Sequence, residues 1–181
     1  MDNRSRRQVA LIALAVAGLF ITRKVVDMDV KAAINDRNVQ AFLKMIRRFE
    51  SNGDYSVIFG GKHFSDFTQH PRIRVPFHNP RTKRDDYSTA AGAYQINFPT
   101  WLTIQAVAAL PDFSQQSQDL AAVYLLKIRG ALGYILDNDF ENALRVASKT
   151  WASLPYTDSM QAHVSADAAR GVYLESGGLS V

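Results

Sequence analysis

Phe42, Ile46 and Phe49 recur at helical spacing in the stretch Phe42-Leu43-Lys44-Met45-Ile46-Arg47-Arg48-Phe49-Glu50-Ser51-Asn52-Gly53. That spacing requires a helix with one buried side. Glu50 stands one turn beyond Ile46, at the edge of the apolar side. Ser51-Asn52-Gly53 then breaks the helix, with Gly53 available for a left-handed C-terminal cap. A carboxyl here sits at a helix end on an apolar floor. Desolvation disfavours its charged form and keeps the acid protonated near neutral pH. A general acid that protonates a leaving oxygen needs that state, so Glu50 is the candidate catalytic residue. The competing expectation is a solvated helix-end glutamate, the commoner fate of that residue type.

The first thirty residues read differently. Arg4, Arg6 and Arg7 precede an apolar run from Val9 to Ile21, closed by Thr22, Arg23 and Lys24. The run is short for a full membrane span and closer to the core of an export signal. We therefore expect residues 1–30 to be a membrane-anchor or signal-like segment with its connector, and residues 31–181 to be the catalytic domain. A buried N-terminal helix is the alternative, and the flanking cations argue against it. Hydrophobic content of 47% and charged content of 21% describe a folding chain, and 181 residues suit one domain plus a tail. The net charge of +4 fits an anionic polymer partner such as cell wall, nucleic acid or a membrane surface. The chain has no cysteine, which excludes disulfides and thiolate metal sites and leaves the compartment open.

Asn38 is the expected N-cap of the helix ending near Glu50, after a charged connector from Val25 to Arg37. Tyr55-Ser56-Val57-Ile58-Phe59, the Gly60-Gly61 turn signal and His63-Phe64-Ser65-Asp66-Phe67 predict a hairpin. Gln69 to Tyr87, rich in Pro, Arg, Asn and Asp, reads as a long irregular loop of functional character. Helical periodicity then returns. One helix carries Trp101, Ile104, Gln105 and Ala108 inward. A second runs from Ser114 to Arg129 with Leu120, Val123, Tyr124 and Ile128 inward. A third runs from Asp139 to about Trp151, capped by Asn138 and Glu141, and an alanine-rich helix ends near Glu175. The layout is α+β, mainly helical with a small sheet, and a cleft is expected between the two parts.

A second informative stretch is Ser88-Thr89-Ala90-Ala91-Gly92-Ala93-Tyr94-Gln95-Ile96. Small residues around Gly92 permit close backbone approach by a ligand, Tyr94 offers a stacking face, and Gln95 offers an amide that reads sugar hydroxyls and acetamido groups. His63, His70, His78 and His163 lack metal-ligand spacing, so no metal site is expected. The basic cluster Arg72, Arg74, Arg81, Lys83 and Arg84 lacks a DNA-binding motif or an aromatic ladder and reads as a solvated loop or wall contact.

Taken together, Phe49-Glu50, Ser56-Val57-Ile58-Phe59-Gly60-Gly61, Phe64-Ser65-Asp66-Phe67, His70-Pro71-Arg72, the 88–95 stretch, Asp112-Phe113-Ser114, Ser117-Gln118-Asp119, Arg129-Gly130-Ala131-Leu132 and Trp151-Ala152-Ser153-Leu154-Pro155 resemble one family. It is the lysozyme superfamily, and within it the bacteriophage lambda endolysin type of peptidoglycan lytic transglycosylase. The matches keep their order from about residue 38 to 156. The resemblance implies a lysozyme-like fold and cleavage of the β-1,4 bond between N-acetylmuramic acid and N-acetylglucosamine. It also implies Glu50 as general acid/base, substrate contacts at Ser51, Asp66, Gly92, Tyr94 and Gln95, and no cofactor. The expected partners are peptidoglycan glycan strands and, through residues 1–30, a membrane; no nucleic acid partner is expected, and the protein should be a monomer acting in the periplasm. Trp151 to Pro155 looks structural. Two departures stand out: the loop between Glu50 and Tyr55 is shorter than in the lambda type, and the loop from Val75 to Tyr87 is longer. One wall of the cleft should therefore be reshaped. The alternatives are a hydrolytic muramidase using a second carboxylate such as Asp66, and a non-catalytic wall-binding protein on the same scaffold.

Overall fold

The computed structural model describes residues 30–179, apart from residue 81 and residues 158–161. The expected anchor or signal-like segment thus lies outside the described residues, except for Val30. Among the described residues no helix is long and apolar enough to cross a membrane.

The chain first makes a helical turn over residues 30–33, inside the stretch read as a connector. Helix α1 follows, Arg37–Ser51. Its N-cap is Asp36, not Asn38: the Asp36 carboxylate accepts from the backbone N–H of Asn38 and Val39. Asn38 is instead buried, where its side chain bonds Asn138 and Leu179. Val39, Phe42, Leu43, Met45 and Ile46 are fully buried and Phe49 is half-buried. Asn52 takes the left-handed cap conformation at φ 56°, with Gly53 following at φ 84°.

The expected hairpin over residues 55–67 is not a hairpin of strands. Val57 and His63 make an isolated antiparallel bridge, and the rest is turn and irregular chain. The β-prone side chains pack locally instead, with Phe64 against Phe67 and Phe113. The two-stranded sheet lies in the segment read as an irregular loop: β1, Val75–Asn79, pairs antiparallel with β2, Arg84–Ser88. Charged residues masked the alternation, because only one face of this hairpin meets the protein.

Helix α2 (Phe98–Ala108) buries Trp101, Ile104 and Ala108. Helix α3 (Gln115–Arg129) starts at the Ser114 cap and ends at Gly130. It is buried on every side from Ala121 to Leu126, so it is the central helix rather than an amphipathic one. Ile128, expected inward, is 58% exposed because it lies beyond the buried run. Helix α4 (Ala131–Leu136) was not legible, being a short continuation after Gly130. Helix α5 spans Phe140–Ala147 from an Asp139 cap and stops short of Trp151. Helix α6 is Ala166–Glu175. Helix α1 packs against α3, α4 and α6, while α3 also contacts α2, α4 and α5. Phe42, Phe140 and Tyr173 join α1, α5 and α6 through edge and tilted ring contacts. These contacts anchor one side of α1, while Phe49 and Glu50 near its C-terminal end stay half-buried.

Candidate active site

The C-terminal end of α1 borders a cavity of about 510 Å³, within the range of ligand sites. Phe49 and Glu50 form one side. Phe59, Phe77 and Tyr87 line the cavity as well, as do Gln95, Asn97, Thr100 and Trp151 to Ser153. Among the described residues that line it, Glu50 is the one carboxylate.

Glu50 is half-buried, and its Oε1 accepts hydrogen bonds from the Ser153 hydroxyl at 2.5 Å and the Ser153 N–H at 3.4 Å. Burial raises its pKa above the usual carboxylate value, and the two Ser153 bonds pull the other way without overcoming it. Among the described residues no cation contributes to that balance. Arg47 lies one turn earlier on α1, within reach by spacing, but its guanidinium is committed elsewhere.

Arg47 Nη1 donates to Tyr94 Oη at 2.8 Å and to Asp119 Oδ1 at 2.9 Å. Asp119 Oδ1 also accepts from Tyr94 Oη at 2.6 Å and from Tyr55 Oη at 2.7 Å. Burial works against the Arg47 charge, yet the field of Tyr94, Asp119 and Tyr55 outweighs it and raises the pKa. Both tyrosines are pushed up, first by burial and then by the Asp119 charge. The network ties α1, the Tyr94 loop and α3 together and keeps Arg47 away from Glu50. Sequence reasoning missed it, although Arg47, Tyr55, Tyr94 and Asp119 lie in or beside the matched motifs.

The expected substrate contacts fall in different places. Tyr94 borders the cavity, but it is 1% exposed and its hydroxyl is directed into that network. Its carbonyl accepts from Trp151 Nε1 at 3.1 Å, which fastens the loop to the buried Trp151 ring. Gly92, at φ 75°, does need to be glycine, but the group approaching it is not a ligand. A Cβ there would stand 2.1 Å from Gln118 Oε1. Gln118 is buried and staples three segments, accepting from the Ala93 N–H at 2.8 Å and donating to the Phe113 and Tyr55 carbonyls. Ser51 Oγ lies 3.2 Å from the Arg47 carbonyl and 3.0 Å from that of Ala93, so its one proton joins the helix end to the loop. Gln95 does line the cavity, its Nε2 donating to the Gly92 and Val57 carbonyls. Asp66 is not brought to the cleft. Its carboxylate closes a turn onto the Thr68 N–H and hydroxyl, on a separate shallow surface near Asp112. Asp54 likewise faces Ser56 and His63 outside the cavity.

Ser153, the residue in direct contact with the acid, was read from sequence only as part of a structural motif. The one available signal was its place in Trp151-Ala152-Ser153-Leu154-Pro155. His70 is buried among Phe98, Trp101 and Phe113. Its Nε2 donates to the Ile96 carbonyl at 2.9 Å and its Nδ1 accepts from the Arg72 N–H at 3.1 Å, which sets one neutral tautomer. Burial lowers its pKa. Among the described residues no three His, Asp or Glu side chains converge as a metal site.

A family model described as Endolysin matches residues 40–180. The endolysin of Escherichia phage lambda is 37% identical over 148 residues, which cover 77% of this chain and 90% of that protein. The endolysin of Escherichia phage P2 is 33% identical over 156 residues, covering 79% of this chain and 94% of that one. Among solved structures, bacteriophage lambda lysozyme complexed with a chitohexasaccharide superposes with a TM-score of 0.73 at 35% identity. That match covers 81% of this chain and 97% of the other.

Proposed function

This chain belongs to the Endolysin family, phage cell-wall-degrading enzymes of lysozyme fold, and on that premise we propose that it is a peptidoglycan lytic transglycosylase. Its substrate is the β-1,4 bond between N-acetylmuramic acid and N-acetylglucosamine. Glu50, whose hold on its proton burial strengthens, gives that proton to the bridging oxygen as the bond from the muramoyl anomeric carbon to that oxygen breaks. The muramoyl 6-hydroxyl then bonds to the anomeric carbon, and its proton returns to the Glu50 carboxylate. No water is consumed, and the acid ends as it began. Ser153 holds Oε1, which leaves Oε2 as the oxygen that carries the transferable proton.

One observation carries the preference over hydrolysis. A two-carboxylate glycosidase needs its second acid across the cleft, roughly 5–10 Å from the first. Glu50 has no such partner among the described residues that line the cavity, and Asp54 and Asp66 are engaged elsewhere. Mass spectrometry of digested peptidoglycan tests the assignment. Non-reducing 1,6-anhydromuramoyl ends, one water lighter than hydrolysis products, are expected, with Asp66→Asn close to wild type. Reducing muramic acid ends together with an inactive Asp66→Asn variant would make the protein a muramidase.

For location, the reading rests on sequence: the Arg4, Arg6 and Arg7 cluster ahead of the apolar run favours residues 1–30 as the device that brings the domain to the membrane for action in the periplasm. Fractionation of cells expressing the full chain checks it, and recovery wholly in the soluble cytosol would count against it.

A further inference from the structure

We propose that Phe59 and Phe77 form an aromatic subsite for a sugar ring of the glycan strand, on the wall of the cleft supplied by the β-hairpin. The proposal rests on the reading of the Glu50 cavity as the glycan site. The two rings lie 5.6 Å apart between centroids at 58°, and both line the cavity that holds Glu50. They come from different parts of the chain. Phe59 is held by its N–H bond to the Ala90 carbonyl at 2.9 Å, on the segment that floors the cavity. Phe77 stands in β1, where Val75, Phe77 and Asn79 are half-buried and Pro76 and His78 are exposed, so the strand turns Phe77 toward the protein.

The contact between the rings ties β1 to the 55–59 segment, but packing the hairpin against the hydrophobic core does not need the pair. That work falls to Val75, which packs against the hydrophobic core, whereas neither Phe59 nor Phe77 joins it. Both rings stay half-buried at the cavity surface. A pyranose has an apolar face of C–H bonds and a rim of hydroxyls. Its positively polarised C–H face matches the negative face of an aromatic ring. Gln95, Asn97 and Thr100 in the same cavity supply polar groups for the rim. Continuity of the rings with the acid in one cavity commits the occupant to the strand being cleaved.

The test uses the full chain carrying Glu50→Gln, so that bound sugar is not consumed, with chitohexaose as the probe in titration calorimetry. Phe59→Leu and Phe77→Leu keep apolar bulk and remove the ring, and Phe77→Tyr keeps the ring. Each Leu variant should bind chitohexaose about three- to tenfold more weakly at an unchanged melting temperature, with Phe77→Tyr restoring parental affinity. Parental affinity in both Leu variants would overturn the subsite and leave the Glu50 assignment standing. Retained wall-cleaving activity in Glu50→Gln would instead remove the acid while the calorimetry still judges the rings. If Phe77→Tyr binds as weakly as Phe77→Leu, the ring is not what the sugar meets, and the subsite also fails.

Discussion

The two walls of the cleft are built on opposite principles. On the α1 side almost every polar atom is spoken for: Glu50 by Ser153, Ser51 by two carbonyls, Arg47 by Tyr94 and Asp119, and the Gly92 loop by Gln118. These bonds cross between α1, the loop and α3, so no one of them can move alone. The hairpin side is held by its own ladder and the packing of Val75, and it carries exposed charge. Its His78–Asp85 pair, at 3.1 Å, lies in solvent and adds little. Proton transfer tolerates little misplacement, so the acid belongs on the over-determined wall. The hairpin wall can change length and sequence without disturbing that acid.

The difference can be broken at its centre. Glu50→Gln should lower wall cleavage by roughly 10²–10⁴-fold, measured as turbidity loss of permeabilised cells. The same variant should melt higher than wild type at neutral pH. A carboxyl whose folded pKa is raised loses stabilising power as pH rises above its ordinary value of 4.5, so the native state bears the cost at pH 7 and not at pH 4. A melting-temperature gain that vanishes in acid would show that Glu50 is held at the expense of stability.

Next in size, Asp119→Ala strands Arg47, Tyr55 and Tyr94 together. With Asp119 22% and Arg47 13% exposed, the loss should be about 2–3 kcal/mol in urea denaturation, below that for a fully buried pair. Activity should fall with it, because α1 and the Tyr94 loop lose their shared anchor. A smaller effect is expected at His70. Its folded pKa is lowered, so its contribution is whole above about pH 6.5 and is lost as pH falls from there through the folded value. Stability of His70→Gln should therefore depend less on pH between 7 and 5 than wild type. Smallest of all, Asp85→Ala on the hairpin should leave the denaturation midpoint and the cleavage rate unchanged. A large loss there would erase the distinction between the walls.

Helix α1, with its apolar side, its terminal glutamate and its glycine-assisted exit, was legible because period and capping chemistry are local. So were the limits of α3, where Ser114 and Gly130 act on their own neighbours. The hairpin was misplaced for an equally physical reason. Residues 55–59 have strand-forming side chains but no second strand to pair with, whereas Arg84–Ser88 has charged side chains and a partner in Val75–Asn79. Pairing is a property of two segments, and propensity is a property of one.

The same division runs through the site. Residue types and order alone determined the family resemblance and the α+β class and singled out Glu50 as the candidate acid, because each depends on what stands next to what along the chain. Only the tertiary structure decided that the Tyr94 hydroxyl bonds Asp119, that Gln118 packs against Gly92, and that Asp66 turns onto Thr68 outside the cavity. It alone brought Ser153 to Glu50 across 103 positions of chain. A side chain's direction and its partner are set by packing against residues remote in sequence, and the spacing of letters does not carry that information.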